Sequence, residues 1–228
     1  MAASLPGARL PSAAIEIVMT DFPMPPISGA NDAELGAFGN GWSCRGYLPH
    51  FDSSAVIQSV TFRLGDSLPA DVLVRLLAGV SEEVERRRRF EAMMDSGHGS
   101  CLLGRPDVAA MFESRLLFHH GERYLLHAWC IMPNHVHVLL RTFAGVPLGD
   151  IVHAWKSVSA RLLAPSGVNP HGFWAPDYWD RYVRDERHWY ACREYIHSNP
   201  VKAGLASLPA EWAWSSARRP EFSSAQGG

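Results

Sequence analysis

The chain has 228 residues, of which 47% are hydrophobic and 19% charged, a composition typical of globular proteins. Its formal net charge of -2 argues against a broadly basic nucleic-acid-binding face and leaves room only for a local patch. No stretch approaches the roughly 20 apolar residues that cross a bilayer, and the four widely spaced cysteines exclude a dense disulfide scaffold, so we expect a cytoplasmic protein without a membrane partner.

The domain organisation follows from the placement of proline, glycine and charge. Residues 1–43 are punctuated by proline and glycine and show no persistent hydrophobic period, which predicts a disordered leader. Residues 1–40 carry one basic and four acidic residues, which leaves 20 basic and 19 acidic residues in the rest of the chain. We therefore expect one nearly neutral domain over residues 44–218 and a flexible tail over residues 219–228.

The first elements of the domain are a strand and a helix. Residues 56–64 are rich in β-formers and predict a strand. A helix is expected to enter near Pro69 and to continue at helical spacing to Val84. The four arginines at 86–89 extend this helix or the next one, and a solvated helix face is favoured over a DNA contact.

A helix and a hairpin come next. Pro106 opens a helix whose apolar residues recur at helical spacing, and Gly121 ends it. Residues 123–131 predict a strand, residues 132–134 a turn, and residues 135–141 a returning strand.

The last predicted elements are a helix, a strand and a second helix. The first helix follows Pro147 with one apolar face. Residues 178–184 alternate like a strand, and Asp185 is expected to cap a helix that ends at Asn199-Pro200. The order β-α-α-β-β-α-β-α predicts an α+β fold of ferredoxin-like (RRM-like) type, with helices on a small, mostly antiparallel sheet.

Two histidines on the returning strand are the first candidate site residues. His135 and His137 are two positions apart, so their side chains project from the same face of a strand. Two imidazoles on a rigid strand make half of a metal site. Surface histidines often have this spacing, so the pattern alone favours no ligand role.

A tyrosine and an asparagine on the last helix are the second pair. Tyr195 and Asn199 are four positions apart and therefore share a helix face. The amide oxygen of Asn199 would complete a site with two imidazoles, and a metal near the Tyr195 phenol would activate it as a nucleophile. Spacing alone favours a core tyrosine and an asparagine that only ends the helix.

Taken in order, short motifs along residues 44–218 resemble the REP-associated tyrosine transposases of the single-tyrosine HUH nuclease superfamily. The motifs are Arg45-Gly46-Tyr47-Leu48-Pro49-His50-Phe51-Asp52, Val60-Thr61-Phe62-Arg63-Leu64, Met132-Pro133-Asn134-His135-Val136-His137, Trp155-Lys156-Ser157, Asp180-Arg181-Tyr182-Val183-Arg184-Asp185-Glu186-Arg187-His188 and the segment from Tyr195 to Leu205. Each motif is short, but the ordered set is specific.

The resemblance implies a role for each residue of the site. His135 and His137 would bind a divalent metal, Asn199 would be the third protein ligand, and Tyr195 would be the nucleophile. The fold would be that of an HUH nuclease, and the cofactor Mg²⁺ or Mn²⁺, because amide, phosphate and water oxygens join the two imidazoles.

The implied activity is a DNA transposase that cleaves and rejoins single-stranded DNA through a 5′-phosphotyrosine intermediate. The implied partner is single-stranded or hairpin DNA from palindromic repeats, bound by a monomer or a homodimer. Candidate DNA contacts are Lys156, Arg181 and Arg184, for which a surface salt bridge is an equal alternative.

Two other functions remain open at this stage. A non-catalytic module that binds hairpin DNA or RNA would not need both histidines, the tyrosine and the asparagine. An unrelated metallohydrolase would use His135 and His137 with a further histidine or carboxylate ligand, and would keep its activity without Tyr195.

Overall fold

The computed structural model describes residues 35–37, 39–44, 49–68 and 83–223. The strands are β1 (Gly41–Cys44), β2 (Pro49–Asp52), β3 (Gln58–Arg63), β4 (Tyr124–Ile131), β5 (His135–Thr142) and β6 (Trp179–Tyr182). The helices are α1 (Glu83–Asp95), α2 (Pro106–Leu117), α3 (Leu148–Leu163), α4 (Glu186–Lys202) and the single turn α5 (Pro220–Ser223).

The main sheet has four strands in the order β4-β5-β3-β6, and every neighbouring pair is antiparallel. β1 and β2 form a separate antiparallel hairpin. The structure confirms the predicted α+β class and the order of elements from β3 onward, in the parts of the chain that it describes. The hairpin of β1 and β2 was not predicted, because its residues belong to a motif without a clear alternation.

The sheet has two covered faces, because successive side chains of a strand point to opposite sides. One face packs on α2 and α3 and forms the larger core, which includes Val60, Phe62, Phe112, Trp129, Val138 and Trp155. The other face packs on α4 and forms a smaller core of Ile57, Ala128, Cys130, Met132, Leu139, Val183, Trp189, Cys192 and Ile196. We call these the α2–α3 face and the α4 face.

Two predicted boundaries of the domain differ from the structure. Leu35 lies in a buried cluster with Phe51 and Val56, and β1 begins at Gly41, so the ordered chain starts before residue 44. In the predicted tail, Phe222 is buried in the larger core. Leu35 and Phe222 are large apolar side chains within segments that are otherwise rich in proline, glycine and polar residues, so the composition alone did not indicate their burial. Residues 1–34, 224–228 and most of the predicted helix from Pro69 to Val84 lie outside the described residues.

The predicted end of α4 was wrong. Asp185 caps the helix as expected, since its side chain accepts a hydrogen bond from the His188 N–H. The helix then continues through Pro200 to Lys202, although proline lacks the N–H that a helix interior requires. The last turn is held by bonds that do not involve that N–H, including the one from Ala203 N to Asn199 O at 3.0 Å.

None of the described helices is both long enough and apolar enough to cross a membrane.

Candidate active site

The two histidines of the β5 strand lie together on the α4 face. β5 begins at His135, directly after the turn, and its register pairs His137 with Thr61 on β3 and with Cys130 on β4. Both imidazoles are almost completely buried, at 1% and 3% exposed. Val136 and Val138, which alternate with them, lie in the core on the opposite face.

The hydrogen-bond network fixes the tautomer of His135. The Nδ2 of Asn134 donates to the carbonyls of Met94 (3.1 Å) and His98 (3.0 Å), so its Oδ1 is the atom that faces His135. His135 Nδ1 lies 2.7 Å from that oxygen and must carry the proton. Burial also lowers the pKa of His135 to about 3, so the imidazole is neutral and its Nε2 keeps an open lone pair.

The ring of His137 is likewise held through both of its nitrogens, by a residue of β3 and a residue of α4. Its Nδ1 lies 2.8 Å from Thr61 Oγ1, and its Nε2 lies 3.0 Å from Asn199 Nδ2. If that amide group donates, Nε2 of His137 carries no proton either. The two Nε2 atoms then face each other at 3.0 Å as two acceptors, an arrangement that a cation stabilises.

Asn199 closes the site from the last turn of α4. The residue is completely buried, and its Oδ1 accepts no hydrogen bond within the described part of the chain. A half-turn of the side-chain amide exchanges the positions of its oxygen and its nitrogen. Turning the amide would therefore bring a buried acceptor oxygen to the point where the two imidazoles meet.

These donors fit a divalent cation. Ligands held about 2.0–2.1 Å from one ion and about 90° apart are separated by about 3.0 Å, which is the distance between the two Nε2 atoms. Among the described residues, no three histidine, cysteine or carboxylate side chains already stand in metal-binding geometry, and the amide of Asn199 would supply a third protein ligand beside the two imidazoles.

Tyr195 lies one helical turn before Asn199 on the same face of α4. Its ring is perpendicular to that of His137, with 5.4 Å between the centroids, and is half-buried. The ammonium group of Lys202 lies 4.6 Å from the centre of the Tyr195 ring. Within one chain, the structure thus brings together the phenol of Tyr195, the ammonium group of Lys202 and the histidine pair.

The three candidate DNA contacts differ in their surroundings. Lys156 Nζ donates to the carbonyls of Ala175, Pro176 and Asp177, which uses its three hydrogens. Burial lowers its pKa to about 8, and these bonds give Lys156 a structural place beneath the loop before β6.

The two arginines remain candidates. The register of β6 pairs Arg181 with Ser59, which places its side chain on the same sheet face as His137. Arg184 is exposed in the short connection to α4. Arg181 thus shares a sheet face with the histidine pair, and Arg184 is open to solvent.

Three residues near the centre were not predicted as site residues. Asn134 and Thr61 stand inside the recognised motifs, and their polar side chains beside a histidine strand were a usable signal. Asp95 ends α1, and its Oδ1 lies 3.7 Å from His135 Nε2. No motif or spacing connects Asp95 to the histidines, so sequence alone did not reveal it.

Comparison with known proteins points to one group. The family described as "Transposase IS200 like" matches residues 118–199, which contain both histidines, Tyr195 and Asn199. A REP-associated tyrosine transposase of Escherichia coli (strain K12) is 25% identical over 96 residues, which cover 41% of this chain and 54% of the relative. A curated protein of Haemophilus influenzae is 27% identical over 106 residues, covering 40% and 58%. The matched segments thus span little more than half the length of these relatives.

A solved structure of a REP-associated tyrosine transposase bound to a REP hairpin has the same fold. It superposes with a TM-score of 0.50 at 15% identity and covers 77% of this chain and 84% of that chain. This similarity supports the α+β assignment made from the strand order.

Proposed function

We propose that this chain, which is similar to IS200-like transposases and to REP-associated tyrosine transposases, cleaves and rejoins single-stranded DNA that folds into hairpins. The observation that carries the proposal is the meeting of three groups from two separate elements of one chain. The two Nε2 atoms of the β5 strand face each other, the buried amide of Asn199 faces His137, and the Tyr195 ring packs against His137.

The substrate follows from the open side of the site and from the relatives. Arg181, on the same sheet face as His137, and the exposed Arg184 in the connection that follows supply positive charge on a chain whose net charge is slightly negative. Such a local patch suits the phosphates of one strand. The curated relatives are named for their association with REP sequences, and one of the solved relatives holds a REP hairpin.

In the proposed reaction Tyr195 attacks the phosphorus of the scissile bond in line. The phenol gives its proton to water, its oxygen bonds to phosphorus, and the bond from phosphorus to the 3′ oxygen breaks. That oxygen takes a proton from water and leaves as a 3′-hydroxyl. Attack by a 3′-hydroxyl on the phosphotyrosine reverses these changes and rejoins the strand. The energy of the original bond is kept in the covalent link, so no nucleotide is consumed.

The residues around Tyr195 prepare it for this step. The Lys202 ammonium, at 4.6 Å from the ring centre, stabilises the negative charge that the phenol acquires. The perpendicular packing on His137 limits rotation of the ring and keeps the oxygen near the histidine pair. Mg²⁺ or Mn²⁺ held by His135, His137 and Asn199 would act as a Lewis acid that polarises the phosphate and offsets its charge.

The test is the formation of a covalent protein–DNA adduct. Full-length protein is incubated with Mn²⁺ and end-labelled hairpin DNA made from repeats that flank its gene, and the products are separated under denaturing conditions. We expect an adduct with the wild type and with Tyr190→Phe, which alters an exposed tyrosine of the same helix, and none with Tyr195→Phe.

The other outcomes separate the alternatives. Tight hairpin binding without an adduct would contradict cleavage and would favour a non-catalytic binding module. Strand cleavage that survives Tyr195→Phe would identify a hydrolase that activates water instead.

A further inference from the structure

The last residue of α1 lies at the rim of the histidine pair. Asp95 Oδ1 is 3.7 Å from His135 Nε2, and a quarter of its side chain is exposed. We propose that Asp95 is a further ligand of the metal centre, a carboxylate that joins His135, His137 and Asn199. The inference deepens the proposed function and rests on the metal site that this function requires.

The position of Asp95 is set by the same side chain that orients His135. The Nδ2 of Asn134 donates to the carbonyls of Met94 and His98, which stand on either side of Asp95 in the chain. Through its side-chain NH2 group, Asn134 therefore fixes the end of α1 against the hairpin of β4 and β5, which carries the histidines. The side-chain oxygen of Asn134 accepts the hydrogen bond from His135 Nδ1. The carboxylate and the imidazole are thus located by a shared anchor.

A direct hydrogen bond does not explain the approach of Asp95 to His135. The proton of the imidazole lies on Nδ1, because Asn134 presents an oxygen to that atom. His135 Nε2 and the carboxylate of Asp95 are then both acceptors, 3.7 Å apart. Two acceptors that face each other repel unless a cation lies between them. His135 Nε2 faces two such acceptors, Asp95 Oδ1 and His137 Nε2.

The separation and the chemistry both suit a shared ion. Two ligands of one divalent cation, each about 2.0–2.2 Å from it, are at most about 4.2 Å apart, and Asp95 Oδ1 lies within that range of His135 Nε2. Two imidazoles are neutral and alone would suit zinc or copper. A carboxylate adds a charged oxygen and moves the preference toward Mg²⁺ and Mn²⁺.

The proposal is tested by metal binding to the full-length protein, without DNA and without an activity readout. Calorimetric titration with Mn²⁺ is compared for the wild type, Asp95→Asn and Asp95→Glu, with Glu122→Gln as the control. Glu122 is an exposed carboxylate before β4, at the opposite end of the sheet from the histidines. We expect Asp95→Asn to weaken Mn²⁺ binding about tenfold or more and Zn²⁺ binding by less. Asp95→Glu and Glu122→Gln should stay within about threefold of the wild type.

A second pair of titrations keeps this inference separate from the proposed function. If His137→Ala abolishes Mn²⁺ binding while Asp95→Asn leaves it unchanged, the metal centre stands and the role of Asp95 is overturned. If His137→Ala binds Mn²⁺ like the wild type, the metal centre itself is wrong and Asp95 falls with it. Circular dichroism of each variant confirms that a weaker affinity does not reflect unfolding.

Discussion

His127 on β4 is a buried polar residue outside the candidate site. It lies at the bulge where the register of β4 and β5 shifts, and its ring packs perpendicular to Trp189 of α4. Both ring nitrogens are buried without a hydrogen-bond partner in the described part of the chain. Burial lowers the pKa of His127 to about 3, so the ring stays neutral.

We expect His127→Phe to stabilise the protein. A buried polar atom without a partner costs about 1–3 kcal/mol, and phenylalanine has a similar shape without those atoms. The free energy of unfolding in urea should rise by about 1–2 kcal/mol at pH 7. A fall of the same size, repeated in His127→Leu, would show instead that the imidazole makes a bond that phenylalanine cannot replace.

Individual site residues were predictable where a local rule determines direction. The alternation of a strand placed His135 and His137 on one face, and the four-residue spacing placed Tyr195 above Asn199. Asp95 obeys no such rule, because it reaches the histidines through a tertiary contact of Asn134 with the end of α1. The surroundings of Lys156 are set by tertiary contacts as well, since three carbonyls of a distant loop surround its ammonium group.

At the level of elements, the β1–β2 hairpin is fastened to the sheet by a buried ion cluster. His50 of β2 bonds through one ring nitrogen to Asp177 and through the other to Asp180 of β6, and it stacks on Tyr178. Burial acts to lower the pKa of His50, but the two carboxylates outweigh it and raise the pKa to about 9. Asp52, two residues along β2, accepts a bond from the first N–H of α3.

This cluster makes the stability of the protein depend on pH. A histidine whose pKa is raised by folding stabilises fully below its unfolded value of 6.5, and this contribution is lost as the pH rises through about 9. We expect His50→Gln to cost roughly 3 kcal/mol at pH 6 and clearly less at pH 9.5. Lys156 lies nearby and titrates in the same range, so the measured quantity is the difference in unfolding free energy between variant and wild type, in which the Lys156 contribution largely cancels.

The exposed His153 of α3 provides the control for this series. His153→Gln makes the same substitution at an exposed position and should change the free energy of unfolding only slightly. A His50→Gln difference that stays constant from pH 6 to 9.5 would contradict a charged imidazole at this position.

The element that sequence reasoning placed least well is the end of α4. The rule that the residue before proline leaves the helix predicted a stop at Asn199. In the structure Asn199 is buried, its side chain is held 3.0 Å from His137, and its carbonyl accepts the bond from Ala203. These contacts keep Asn199 helical against its local preference. A rule based on the local sequence takes no account of the bond from Asn199 to His137 on β5, so it predicted that the helix ends too early.

On the scale of the whole molecule, a segment near the end of the described chain covers the outer edge of the sheet. Residues 212–216 run along β4, where Ile131 N donates to Trp214 O at 2.9 Å and Trp129 N donates to Ser216 Oγ at 2.9 Å. Ser216 Oγ also bonds to His197 of α4. The end of the edge strand, from Trp129 to Ile131, is therefore paired on both sides, which protects this part of it from pairing with another chain.

We expect a chain shortened to residue 208 to associate through the uncovered β4 edge. Its mass by size-exclusion chromatography with light scattering should increase with protein concentration, and its Tm should fall by several degrees. A chain shortened to residue 223 keeps this segment and should behave like the full-length protein. A chain of 208 residues that stays monomeric with an unchanged Tm would show that the segment does not protect the edge.

The placement of Tyr195 beside His137 of its own chain has a consequence for stoichiometry. One nucleophile stands next to one histidine pair in each molecule, so under the proposed chemistry a single molecule can hold a single strand end at a time. Cutting both sides of a DNA segment then takes either two molecules or two successive turnovers with the first end already released. A titration with excess hairpin should accordingly level off at one bound strand per chain, and a mixture of His137→Ala and Tyr195→Phe proteins should gain no activity over either one alone.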